Sequence, residues 1–564
     1  MVLSSRKLST IEDPLWFKDA VFYELYVRAF SDSNASGSGD FMGLTSKLAY
    51  LKWLGVDVIW ILPHYPSPLF DDGYDVADYT NVHPDYGTLS DFDRFISAAH
   101  DFGLKVLVDF VVNHTSDQHP WFQAARSDRN SPYRDYYVWS DTDSKYKDVR
   151  IIFCDTESSN WTYDEIAGQY YWHRFFSSQP DLNYDNPQVK EEIFNAIRFW
   201  CRKGIDGFRV DAVPYLIQRE GTSCENLPET HSILKEMRAM IDKEFPNVFL
   251  LCEANMMPED VVQYFGTPEE PEFHSGFHFP VMPRIFMSLV RGECSAIKDI
   301  LHRTPAIPSN TQWMLFLRNH DELTLEMVTP EEREWMWSVL AGGPREKQNL
   351  GIRRRLASIC DYDNRKILML NALLFSLPGS PIIYYGDEIG MGDNLFLRDR
   401  DGQRLPMQWD PRLSLAGFSQ SRRPYANPVG GGPGSPVHAS VAVQQLNENS
   451  LLHKMKNLIA TRKQSRAFGR GSYFVADCAD SVFAIIRVYG DEMLLCCCNM
   501  TSLSQVVSIS FKTEHLPANR TFERVVFTDM LSPFYVNADF DKNSGSLIVD
   551  ISLCEYGFMW LRLE

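Results

Sequence analysis

Apolar and polar positions along the chain fall into two alternating textures. Short runs of β-branched and aromatic residues recur, and most lead into a stretch whose apolar residues return every three or four positions, the spacing of one helix face. The runs are Val21–Val27, Val56–Leu62, Lys105–Val112, Gly207–Ala212, Val248–Glu253, His278–Phe286, Trp313–Asp321 and Pro381–Asp387. Most are apolar nearly throughout, as parallel strands covered on both faces must be. Leu89–Phe102, Val189–Lys203 and Thr230–Glu244 are amphipathic helices between them. Eight strand–helix repeats predict an α/β fold, a closed (β/α)8 TIM barrel. The sixth run differs in texture, because it contains Pro280 and Pro283.

Uneven spacing places the additions to this frame. The interval from Val112 to Gly207 is far longer than one helix and rich in Asp, Ser and aromatics, which predicts a subdomain inserted after the third strand. A second long interval, Glu322 to Leu377, carries acidic and Arg-rich stretches. From about Gly471 the texture changes to short alternating runs, Ser481–Val488, Met493–Cys498, Val506–Phe511, Leu547–Ile551 and Gly557–Leu563, the mark of a small all-β domain. The expected division is barrel over residues 1–113, inserted subdomain over 114–186, and barrel again over 187–468 with a lid-like insert at about 322–377. A C-terminal β-sandwich follows over 469–564, after a glycine loop at 430–434.

Composition narrows the function classes. The chain has 564 residues, 44% hydrophobic and 13% aromatic, enough to bury a large core. A net charge of −19 disfavours phosphate backbones and anionic lipid, so neither nucleic acid nor membrane is an expected partner. No apolar run approaches the roughly 20 residues of a membrane helix. The segment MVLSSRKLSTIEDPLWF lacks the apolar core of a secretory signal. Eleven scattered cysteines, with Cys496, Cys497 and Cys498 consecutive on one predicted strand, read as reduced thiols. A cytoplasmic enzyme is expected.

Charged residues gather where the predicted strands end, the face on which barrel enzymes build their sites. The third strand ends in Asp109-Phe110-Val111-Val112-Asn113-His114, and the fourth contains Arg209-Val210-Asp211. The fifth ends at Glu253-Ala254-Asn255, and the seventh at Arg318-Asn319-His320-Asp321. Residues two apart on a strand share a face, so Arg209 and Asp211 point into one cavity. A carboxylate beside a guanidinium is expected to stay ionised, as a nucleophile must. Three carboxylates from three strands suit glycosyl transfer: one attacks the anomeric carbon, one protonates the leaving oxygen, one holds sugar hydroxyls.

These strings, with Asp72-Gly73-Tyr74-Asp75, resemble the signature regions of the α-amylase family of retaining glycoside hydrolases. The resemblance implies Asp211 as nucleophile, Glu253 as general acid/base and Asp321 as transition-state stabiliser. It further implies sugar contacts from Tyr74, Asp75, His114, Phe153, Gln179, Arg209 and His320, with Arg400 pairing the pocket carboxylates. Phrases such as Asp211-Ala212-Val213-Pro214-Tyr215-Leu216 and Asn349-Leu350-Gly351-Ile352-Arg353 are similar to the branch that isomerises maltose to trehalose. Such chemistry needs a shut chamber, or water captures the intermediate. Tyr215, Glu322 and Glu326 are the lid candidates; if the chain turns helical after Asp321, the two glutamates share a face, with Arg353–Arg355 as counter-charge.

Two cation sites are expected, and no organic cofactor. The loop Asp32-Ser33-Asn34-Ala35-Ser36-Gly37-Ser38-Gly39-Asp40 offers oxygens from Asp32, Asn34, Ser36 and Asp40, suited to Ca²⁺ or Mg²⁺. The resemblance implies a structural Ca²⁺ at Asn113, Asp181 and the carbonyls of Tyr215 and Leu216. Maltose and trehalose are the expected small-molecule partners; the sequence also allows a homo-oligomer and a separate maltokinase. An α-glucosidase, a sucrose isomerase and a non-catalytic sugar-binding barrel are the competing readings.

Overall fold

The computed structural model describes residues 13–517 and 525–564. The N-terminal segment read above as leaderless lies mostly outside them. Eight parallel strands close into a barrel: β1 (Phe22–Leu25), β2 (Val58–Ile61), β3 (Lys105–Val111), β4 (Gly207–Asp211), β5 (Phe249–Cys252), β6 (Ser275–Phe277), β7 (Gln312–Phe316) and β8 (Ser380–Tyr384). Neighbours pair in chain order, and β1 closes the ring against β8. The strands are buried along almost their whole length, which is why most of them read as nearly continuous apolar runs.

The helices between them start where the side chains allow. Leu89–Asp101 opens with a reciprocal box in which Thr88 and Asp91 each cap the other's backbone N–H. Pro187–Arg202 has Asn186 as cap and Pro187 in its first turn, where the missing N–H is no loss.

The sixth element corrects the expectation. Only Ser275–Phe277 forms the strand, and Val281–Arg291 is a helix. Pro280 caps that helix and Pro283 sits in its first turn, positions that need no backbone donor. Val281, Met282, Ile285, Phe286 and Leu289 return at helical spacing and are buried.

The insert after β3 carries a small antiparallel sheet of Trp139–Ser140, Gln169–Trp172 and Trp161–Asp164. The second insert is shorter than expected. It holds a helix, Pro330–Leu340, and a three-stranded sheet of Leu323–Thr324, Lys347–Gln348 and Gly351–Ile352, whereas Asn364–Ser376 is an almost fully buried barrel helix.

Eight further strands follow: β9 (Ser472–Val475), β10 (Val482–Tyr489), β11 (Glu492–Asn499), β12 (Gln505–Lys512), β13 (Val525–Asp529), β14 (Tyr535–Asp541), β15 (Ser546–Leu553) and β16 (Phe558–Leu563). They form one antiparallel sheet, not two stacked ones, in the order β9-β10-β11-β16-β13-β14-β15-β12. The sheet folds over until Asp477 and Ser510 bridge its two ends, enclosing a core of its own. On β11, Cys497 enters that core while Cys496 and Cys498 face the barrel, and all eleven cysteines are free. Among the described residues no helix is long and apolar enough to cross a membrane.

Candidate active site

At the C-terminal mouth of the barrel lies a cavity of about 900 Å³, its opening included, lined by Asp71, Tyr74, His114, Phe153, Asp211, Glu253, Asp321 and Arg400 among others. Arg209 and Asp211 share the inward face of β4, and β3 brings Asp109 alongside. Arg209 Nη1 donates to Asp211 Oδ1 at 2.5 Å and Asp109 Oδ1 at 2.8 Å, and Nη2 pairs with Glu253 Oε1 at 2.7 Å. Glu253 Oε2 accepts the Ala212 N–H at 3.0 Å, so both carboxylates are held from one guanidinium and one turn. Ala212 takes a left-handed φ of 52°, rare for a residue with a Cβ, to make that turn.

Asp321 follows β7 and is clamped by Arg400 Nε at 2.9 Å, Arg404 Nη2 at 3.0 Å and His320 Nε2 at 3.1 Å. His320 Nδ1 lies 2.6 Å from the buried Glu24 Oε1. The Tyr74 ring stacks on His320, and its O–H donates to Asp109 Oδ2 at 2.9 Å. His114 is buried with Nε2 unpartnered, a polar atom free for a ligand. Phe153 lies under the Arg400 guanidinium at 4.9 Å.

The charges sort the carboxylates. Burial, then the Glu253 carboxylate, push the Asp211 carboxyl well above the ordinary carboxylate range, outweighing Arg209. The guanidinium expected beside Asp211 is present, but burial and the neighbouring Glu253 and Asp109 carboxylates work against the charge it favours. Asp321 goes the other way. Burial would raise it, but His320 and Arg400 hold it well below the usual range. Burial opposes a charge on His320, yet Asp321 and Glu24 lift it to about 9.

Several expected site residues stand elsewhere. Asp75 is fully buried and outside the cavity. It accepts the Ser67 O–H at 2.8 Å and the Phe70 and Asp71 N–H groups at 3.0 and 3.2 Å, pinning the turn that presents Asp71. Asp71 takes the wall position, its carboxyl pushed up to about 7 by burial against the pull of Arg400 and Arg404. Gln179 stands behind the wall, donating to Asp71 Oδ2 at 2.9 Å. Arg209 and His320 also act from behind.

The condition that the chain turn helical after Asp321 is not met, because Leu323–Thr324 pairs as a strand. Glu322 meets Arg400 at 2.8 Å and accepts from Asn349 at 3.1 Å. Glu326 meets Arg150 at 2.8 Å; Arg150 also holds Glu225 at 2.8 Å and reaches the Tyr215 hydroxyl at 3.3 Å. The counter-charges are thus Arg150 and Arg400, whereas Arg353, Arg354 and Arg355 bond to Leu395, Glu346 and Asp387. Sequence reasoning missed Asp71, Asn255 and Asn319 on the wall. The last two lie two residues from Glu253 and Asp321, a period-2 signal that pointed to them.

Asn113 Oδ1 and Asp181 Oδ2 are buried without partners, and burial pushes the Asp181 carboxyl up to about 8. Orphaned oxygens of this kind fit a hard cation. In the 32–40 loop the donor set is already used. Asp32 accepts from Asn34, Gly37 and Ser419, Asn34 from Ser36, and Asp40 from Ser33 and Gly43. Ser38 Oγ of the same loop is buried without a partner.

The alpha-amylase catalytic domain model matches residues 24–338 and 352–471. A trehalose synthase of Pimelobacter sp. is 50% identical over 98% of this chain and 96% of its own. The trehalose synthase/amylase of Mycolicibacterium smegmatis is 52% identical over 98% and 93%. Among solved structures, the trehalulose synthase MutB of Pseudomonas mesoacidophila superposes with a TM-score of 0.77 at 28% identity, covering 97% of this chain and 99% of that one.

Proposed function

The chain belongs to the alpha-amylase family, and from that premise we propose that it is a trehalose synthase, interconverting maltose and trehalose within one closed chamber. What carries the reading is the clasp of Arg150 with Glu225, Glu326 and Tyr215 over a triad of Asp211, Glu253 and Asp321. Identity near 50% to trehalose synthases over almost the full chain supports it.

In the first step Asp211 attacks the anomeric carbon, the glycosidic C–O bond breaks, and Glu253 gives its proton to the departing oxygen. Asp321, fixed as an anion by His320 and two arginines, holds ring hydroxyls while positive charge develops. In the second step the released glucose turns and its anomeric hydroxyl attacks the glucosyl carbon. Glu253 takes that proton, the bond to Asp211 breaks, and the α,α-1,1 linkage forms. Water attacking instead yields two glucose molecules, so the clasp sets the product.

A Ca²⁺ held by Asn113 and Asp181, with the Tyr215 and Leu216 carbonyls, would brace the insert against the barrel and take no part in bond breaking. Eleven free thiols support a reducing compartment, the cytoplasm.

Proton NMR of purified protein with maltose, trehalose or sucrose tests the reading. Trehalose from maltose and the reverse, with minor glucose, is expected. Mostly glucose from maltose would make it an α-glucosidase, and products from sucrose alone a sucrose isomerase.

A further inference from the structure

Beyond the wall made by Phe153 lies a second cavity of about 900 Å³, open to solvent. Phe153 lines both cavities, and Asp399 of the outer one adjoins Arg400 of the inner. The insert after β3 gives the outer cavity Phe153, Asp155 and Phe176; the 347–353 hairpin gives it Gln348, Asn349 and Arg353. The Asn349 N–H donates to Asp155 Oδ2 at 2.6 Å and ties the two sides together. Apart from Phe153, none of the outer cavity's residues lines the inner cavity.

The lining has the character of a sugar site. Phe70 is 62% exposed at its rim, an aromatic face left in water that a pyranose C–H face would cover. Gln348 and Arg353 are each more than nine-tenths buried, yet Gln348 Oε1 has no donor and Arg353 Nε no acceptor. Asn349, Thr156, Asp155 and Asp399 line the same cavity and add amide, hydroxyl and carboxylate groups of the kind that bond sugar hydroxyls. Lys347, Arg353 and Arg398 are nearly balanced by Asp155 and Asp399, which suits a neutral ligand.

We propose that this cavity is a second saccharide site, a docking place for α-glucosidic chains outside the closed chamber. The choice of saccharide rests on the trehalose synthase reading; the existence of the site does not. Binding there holds glucan beside the entrance without exposing it to Asp211.

The probe is β-cyclodextrin, a closed ring of α-1,4-linked glucose units too wide for the inner chamber, titrated calorimetrically into the full chain. Wild type should bind it, and Phe70→Ala should weaken binding about fivefold, equivalent to about 1 kcal/mol. Maltose conversion by the same variant should stay within about twofold of wild type. Phe396, 83% exposed but outside the lining, is the control, and Phe396→Ala should leave binding unchanged. The site is overturned if no binding is seen, if binding survives both Phe70→Ala and Arg398→Ala, or if Phe396→Ala removes it. Maltose products are followed on the same preparation. A failed isomerase reading then shows as glucose alone, whatever the ring does.

Discussion

Arg209 touches three carboxylates through two nitrogens and so holds the attacking and proton-donating groups in one fixed arrangement. Asp211→Ala removes the attacking atom and should lower maltose turnover by about 10⁴-fold or more without changing the circular dichroism spectrum. His320 gives a pH test whose sign follows from its surroundings. Its value is raised from the ordinary histidine range, about 6.5, to about 9. The stabilisation is therefore complete below about pH 6.5 and is lost as pH rises through about 9. The gap in unfolding midpoint between wild type and His320→Gln should hold steady up to pH 6.5 and narrow towards pH 10. A gap that widens would show the ring neutral in the fold. The facing of Asp211 was readable because it lies two residues from Arg209 on β4, whereas the roles of Glu253 and Asp321 came from the family resemblance of the strings around them. Asp71 was not readable, because Asp71, Asp72 and Asp75 fall within one turn and only the backbone decides which acid faces inward. Gly73, at a φ of 111°, lets that turn fold tightly enough for Asp75 to hold it from behind.

Elements were legible where one periodicity dominated. Seven of the eight barrel strands matched mainly apolar runs, and the sixth did not because Ser275–Phe277 is too short to carry a pattern of its own. The neighbouring helix, apolar on its buried side, absorbed the signal. The segment after Asp321 misled for another reason: Glu322 and Glu326 have helical spacing, but tertiary pairing with Ile352 and Gly351 extends the chain. The clasp lives at this scale, because Arg150, Glu225 and Glu326 come from three segments far apart in sequence. Glu326→Ala should raise the share of maltose ending as glucose several-fold while leaving the rate of glycosidic cleavage within about threefold. An unchanged ratio of glucose to trehalose would remove Glu326 from the closure.

The C-terminal sheet is bound into the barrel. Arg487 on β10 donates to the carbonyls of Ser376 and Leu377 at 2.8 and 2.9 Å, at the end of the buried barrel helix Asn364–Ser376. Trp560 on β16 is fully buried and donates to Ser376 Oγ at 2.8 Å. The alternating runs of the sequence located five of the eight strands; the folding-over of the sheet was not visible, since it depends on pairing between distant segments. Trp560→Ala should cost about 3–5 kcal/mol of stability and leave maltose turnover at 25 °C unaltered. Barrel and sheet should unfold in one transition, checked by calorimetry and tryptophan fluorescence together.

The clasp also acts as a clock. Arg150 is 40% exposed at its side chain, so its pairs with Glu225 and Glu326 are open to screening and weaken as salt is added. What divides the products is a race between two intervals, the dwell of the clasp and the lifetime of the glucosyl–Asp211 bond. Salt shortens the first by screening the two ion pairs and leaves the second, the lifetime of a covalent bond, unchanged. The same molecule would then be an isomerase in dilute buffer and lean towards a hydrolase in strong salt, with no residue changed.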